Sequence, residues 1–232
     1  MTRHLRGSSL PLVALLVLTA LAGCGGDDNG NEEADRRARP VAGTFVSKVR
    51  GSEAFVSVVA APRAKGEDQR AITVFACDAR RLCDVFSATA AANDFTAKAA
   101  GDGGEAKGNL TAKAATGTIE PPEGKALDYK AAQATATSGL YDLKLSRNGR
   151  LSGASAAGVA LKGNVELPPP GSGTIRLADG KRLKFDVVAG ASDAARLRPG
   201  QVRLIVLPDR QLRGAGRSRG GGGEAFFVRS AK

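Results

Sequence analysis

From Gly43 onward the chain breaks into short runs in which apolar residues alternate with polar ones or stand together, separated by glycine-rich breaks. Tyr141, Leu143 and Leu145 share one phase against Asp142 and Lys144, and Leu183, Phe185 and Val187 share one against Lys184 and Asp186. A period of two sends successive side chains to opposite faces of an extended backbone, so these runs predict half-buried strands of an antiparallel sheet. Residues 54–61, 71–77 and 202–207 are apolar in both phases, which predicts central strands. Asn148-Gly149, lying between two runs, is a hairpin-turn dipeptide. No helix of ordinary length is predicted; Ser192 to Leu197, with Ser192 as N-cap, has the makings of a turn or two.

An ungapped internal match refines this pattern. Thr116-Gly117-Thr118-Ile119, followed by Glu123-Gly124-Lys125, Leu127 and Tyr129, recurs as Ser172-Gly173-Thr174-Ile175, then Asp179-Gly180-Lys181, Leu183 and Phe185. Each copy reads as strand, acidic-glycine turn, strand, that is, a duplicated β-hairpin. The expected fold is therefore all-β: an antiparallel barrel or sandwich of many short strands, with the hairpin copies in one body or in two related lobes. Pro168-Pro169-Pro170-Gly171-Ser172-Gly173 reads as a stiff spacer that would divide the folded region, 43–230, into 43–167 and 171–230. A second unit of about 60 residues would stand near the lower limit for independent folding, which favours one continuous β structure. Residues 214–223, GAGRSRGGGG, are expected to be mobile, and 224–229, EAFFVR, to return as a last strand that removes two phenylalanines from water.

The first 42 residues follow a different pattern. Arg3 and Arg6 precede an apolar run from Leu10 to Leu21, which ends in Leu21-Ala22-Gly23-Cys24. Twelve residues are too few for a helix to cross a bilayer, which takes about 20, so the run predicts a cleaved export signal over 1–23. Leu-Ala-Gly-Cys resembles the lipobox of bacterial lipoproteins at all four positions. The resemblance implies a diacylglyceryl group on the Cys24 thiol, cleavage just before it, and anchoring of the chain to the membrane on its extracytoplasmic face. Two or three acyl chains would hold the protein there without a spanning helix, at about 0.8 kcal/mol per buried methylene. Residues 25–42, GGDDNGNEEADRRARPVA, hold almost no bulky apolar side chain and predict a flexible tether spanning on the order of 25 Å.

Charge and scarce residue types narrow the chemistry. The net charge is +11. Without Arg3 and Arg6, 32 basic residues remain against 23 acidic ones, or +9. From Lys181 to Lys232, 12 Lys and Arg face four acids, a net of +8. This basic end offers Arg210, Arg213, Arg217 and Arg219 as contacts to anionic lipid or wall polymer. Nucleic acid is not expected as a partner, because the chain lacks Trp and any interleaving of aromatic with basic residues. The only histidine is His4, inside the signal, which excludes histidine triads and histidine metal sites from the mature chain. No cofactor and no metal ligand set is expected. Cys77 and Cys83 remain once Cys24 is acylated, and an oxidising exterior favours a structural disulfide between them.

Gly43-Thr44-Phe45-Val46, Phe75-Ala76-Cys77-Asp78, Ser138-Gly139-Leu140-Tyr141 and Leu204-Ile205-Val206-Leu207-Pro208-Asp209 resemble an uncharacterised β-rich domain of actinobacterial secreted proteins. The turn after Pro208 carries Asp209-Arg210 where Asp-Gly would be expected, and the resemblance implies no activity and no functional residue. Three functions fit these observations: a non-catalytic surface or binding module, an electrostatic binder of anionic lipid or wall polymer, and an envelope enzyme acting through paired carboxylates. The first accounts for anchor, tether, strand pattern and absent histidine together.

Overall fold

The structure, a computed structural model, describes residues 41–101, 103–190, 196–220 and 223–231. The expected acylation site at Cys24, the export signal, nearly all of the tether and the N-cap at Ser192 lie outside the described residues. Within them the protein is all-β, with 16 antiparallel strands arranged as two closed eight-stranded barrels.

The first barrel is a meander. It comprises β1 (Gly43–Lys48), β2 (Phe55–Ala60), β3 (Arg70–Cys77), β4 (Cys83–Ala90), β5 (Asp94–Ala99), β6 (Glu105–Leu110), β7 (Ala114–Glu120) and β8 (Leu127–Gln133). It closes where Phe45 and Val46 of β1 pair with Gln133 and Ala132 of β8. The second contains β9 (Gly139–Leu145), β10 (Arg150–Ser155), β11 (Ala160–Val165), β12 (Gly171–Arg176), β13 (Arg182–Ala189), β14 (Gln201–Val206), β15 (Leu212–Arg217) and β16 (Ala225–Ser230). Its ring order departs from sequence order: β14 pairs with β9, and β16 closes the ring against β13. Closure leaves neither barrel with an unpaired edge strand.

Each interior is filled by the inward phase of the alternation. Phe45, Ile72, Val74, Phe86, Ile119 and Tyr129 are among those that fill the first barrel; Tyr141, Leu145, Leu161, Phe185, Leu204 and Phe226 are among those in the second. A third apolar cluster lies between the barrels and includes Val46, Phe55, Phe75, Leu140, Ile205, Leu207 and Phe227. This interface is why β2, β3 and β14 are apolar in both phases: one face lines a barrel and the other meets the neighbouring barrel. Arg203 stacks over Phe75 at 5.7 Å and bonds Asp142 at 2.5 Å. Arg213 stacks over Phe55 at 5.0 Å and reaches Glu53 at 3.4 Å.

The hairpin copies fall in different barrels, β7–β8 in the first and β12–β13 in the second, with the same internal register. Gly117 stands opposite Tyr129, and Gly173 opposite Phe185. A Cβ on Gly117 would lie 2.8 Å from the Tyr129 hydroxyl, and one on Gly173 would run into the Phe185 ring. At Gly173 the aromatic ring of the opposite strand takes the space that the glycine leaves empty, whereas at Gly117 the Lys107 carbonyl oxygen is closer to such a Cβ than the Tyr129 hydroxyl is.

Two sequence expectations are corrected. The stretch 168–170 does not separate two units; it forms the loop between β11 and β12, inside the second barrel. The junction is the segment 134–138, where the Thr135 amide donates to Ser138 Oγ at 2.8 Å. Residues 214–217 are not a mobile tail but part of β15, because Gly214 and Gly216 give room to Leu204 and to the Phe226 ring. The expected last strand is present as β16.

Candidate functional site

The outer wall of the second barrel gathers the polar phase of five consecutive strands. Direct cross-strand partners run Lys144 with Ser152, Ser152 with Lys162, Lys162 with Arg176, and Arg176 with Arg182. One step along the strands a second row runs Arg150, Asn164, Thr174, Lys184. Lys144, Arg150, Lys162, Arg176, Arg182 and Lys184 are all exposed. No acidic side chain occupies either row.

The nearest acids are engaged elsewhere: Asp142 with Arg203, Asp179 with Arg210 at 3.6 Å, Asp186 with Arg229 at 3.8 Å, and Glu166 as acceptor from Ser172 Oγ at 3.0 Å. Like charges directly opposite across a ladder repel and lower sheet stability. Lys162, Arg176 and Arg182 nonetheless stand side by side across three neighbouring strands, with no acid between them. Two shallow clefts along this wall are lined by the same residues. One, of about 670 Å³, has Lys144, Arg150, Lys162 and Arg219 on its rim; the other, of about 400 Å³, has Lys162, Arg176 and Arg182.

The residues singled out from the sequence are placed as follows. Arg210 pairs with Asp179 and holds a left-handed conformation (φ 71°), one that glycine adopts without strain, at the turn where Asp-Gly would be expected. Arg213 is taken up by the interface between the barrels. Arg217 donates to the carbonyls of Gly223 (2.9 Å) and Leu197 (3.4 Å), tying two loops. Only Arg219 of these four reaches the basic wall. Cys77 and Cys83 face each other on β3 and β4, with Cα atoms 4.0 Å apart, and are joined by a disulfide. The turn they enclose is held by Asp78 Oδ1, which accepts from the amides of Arg80, Arg81 and Leu82 at 2.7 to 3.0 Å.

The signal for the basic wall was present in the sequence but scattered over 40 residues. Lys144 and Lys184 stand in recognisable outward phases, yet nothing local shows that register brings them into adjacent rows. A further cleft, of about 760 Å³, opens at one end of the second barrel and has Glu166, Glu224, Arg147 and Arg219 on its walls. Among the described residues no group of three or more His, Cys, Asp or Glu is placed to hold a metal ion, and no helix is long and apolar enough to cross a membrane. Comparison with known proteins gives no match: no family model, no curated protein and no solved structure aligns with the chain.

Proposed function

We propose that this protein is an extracytoplasmic lipoprotein whose two-barrel body is a non-catalytic binding module. Acyl groups on Cys24 hold it at the cell membrane, and the tether over 25–42 keeps the body clear of the headgroups. The observation that carries the address is Leu21-Ala22-Gly23-Cys24 at the end of a 12-residue apolar run. Supporting the binding role, both barrel interiors are packed with side chains, so ligands would be met on outer surfaces. One of those surfaces presents six cations with no acid in their rows.

Metabolic labelling with a fatty acid followed by membrane fractionation tests the reading. The native chain is expected to carry label and sediment with membranes, whereas Cys24→Ser should lose both. A Cys24→Ser chain that stays labelled and membrane-bound would refute the anchor. Crosslinking in the intact envelope should then recover a bound component in contact with the second barrel.

A further inference from the structure

We infer that the basic wall of the second barrel binds a linear polyanion, a phosphodiester-type envelope polymer laid across the strands and wrapped part of the way around the barrel. This rests on the reading of the body as a binding module and adds the class of ligand and its path. The first argument is curvature. Lys144 lies on β9 and Arg182 on β13, four strand spacings apart in a ring of eight, which places them on opposite sides of the barrel. A flat lipid surface is tangent to one side of a cylinder and cannot engage both ends of the row. A flexible chain that follows the wall can.

The second argument is spacing. Neighbouring strands lie about 4.8 Å apart, so the row from Lys144 to Arg182 covers roughly 19 Å along the wall. Its cations recur at one or two strand intervals, a repeat suited to a polymer with an anion on nearly every unit. The third is the character of the intervening positions. Ser152, Asn164 and Thr174 are hydrogen-bonding residues without bulk, and Thr174 Oγ1 donates to Asn164 Oδ1 at 3.1 Å, which leaves the Asn164 amide hydrogens for an acceptor on the ligand. No aromatic side chain stands in either row, so stacking with nucleobases has no platform there. Recognition would rest on charge and backbone shape alone.

The test uses the full-length chain in detergent with three probes: long-chain inorganic polyphosphate, tripolyphosphate, and vesicles containing phosphatidylglycerol. Long-chain polyphosphate is expected to bind best, and its affinity should fall roughly 300- to 1,000-fold between 50 and 200 mM salt if all six cations engage. The double variant Lys162→Gln/Arg176→Gln should weaken binding at least tenfold at 100 mM salt and reduce the slope of log K against log salt by about 2. Lys113→Gln/Lys130→Gln, which removes the same charge from the first barrel, should leave binding unchanged. Circular dichroism of both variants establishes that they are folded.

Equal losses in the two double variants would reduce the effect to net charge and overturn the proposal. So would equal affinity for tripolyphosphate, tighter binding to the vesicles, or no binding of long-chain polyphosphate at 50 mM salt. None of these outcomes would touch the Cys24-dependent anchoring, so failure here is distinct from failure of the broader reading.

Discussion

Replacing Phe75 with alanine should uncouple the two barrels without emptying either interior. Phe75 sits on the outward phase of β3, is fully buried between the barrels, and carries the Arg203 guanidinium 5.7 Å above its ring. Removing a buried phenyl costs about 3–5 kcal/mol from transfer and cavity together. The lost cation–π contact is a smaller effect, at about 0.5–2 kcal/mol. The chain offers an unusual means of seeing where that energy goes, because it has no Trp and only two Tyr, one per barrel core: Tyr129 in the first and Tyr141 in the second. In Tyr141→Phe the fluorescence reports the first barrel alone; in Tyr129→Phe it reports the second.

With Phe75 in place, both reporters should give one urea transition. With Phe75→Ala, the two midpoints should separate, and both should fall. A loss of 4 kcal/mol at a slope near 2 kcal/mol per molar corresponds to a shift of about 2 M, well outside measurement error. Ile72→Ala, which removes a fully buried side chain from the inward phase of the same strand, serves as the contrast and should act first on the Tyr129 transition. If Phe75→Ala lowers only the Tyr129 midpoint and leaves the Tyr141 midpoint in place, the interface does not couple the barrels and the reasoning fails.

Two further predictions follow from packing and from burial of the phenols. Gly173→Ala should lower stability by about 1–3 kcal/mol in urea, because its Cβ meets the Phe185 ring and lies 2.6 Å from the Asn164 carbonyl, whereas Gly220→Ala, with open space around it, should fall within about 0.5 kcal/mol of the native chain; equal effects would show that the ring does not need the glycine. Burial holds the Tyr129 and Tyr141 phenols above the ordinary tyrosine range, with Asp179 adding to the rise at Tyr141. A folded-state pKa above the unfolded one leaves stability intact below about pH 10 and removes it as pH climbs further, by up to about 1.4 kcal/mol per pH unit for each phenol. Urea midpoints measured from pH 8 to 11 should show that decline, and Tyr129→Phe/Tyr141→Phe should flatten it; an unchanged decline would mean that other groups govern alkaline unfolding.

The strands themselves were legible because their signal is local. Alternation at 141–145 and 183–187, the Asn148-Gly149 turn and the return of 224–229 each depend on a few adjacent residues, and each has its counterpart in β9, β13, the β9–β10 turn and β16. Ring closure was not legible, since the pairing of β14 with β9 and of β16 with β13 joins residues about 40 to 70 positions apart. Proline and glycine were the misleading residues. Three prolines in a row suggested a spacer but turn a hairpin at 168–170, while the true junction at 134–138 contains neither residue. Glycines 214 and 216 suggested mobility but answer to neighbouring side chains that leave no space for a Cβ. The candidate site was the least legible part, because a row of cations exists only once five strands are in register.

The order in which the two rings are completed has a consequence for a chain that emerges from its N-terminus. Once residue 133 is available, β8 can find β1 and the first barrel is topologically finished. The second has no such early exit. Strands β9 to β13 form an open sheet whose outer members wait for β14 to dock on β9, and the last gap stays open until Ala225–Ser230 slides between β13 and β15. Until then Phe226 and Phe227 are missing from the second core and from the seam with the first barrel, respectively. For that interval the first half is a finished body carrying an unfinished one, and any factor that guards emerging chains against sticking together would have its work concentrated on residues 139–230.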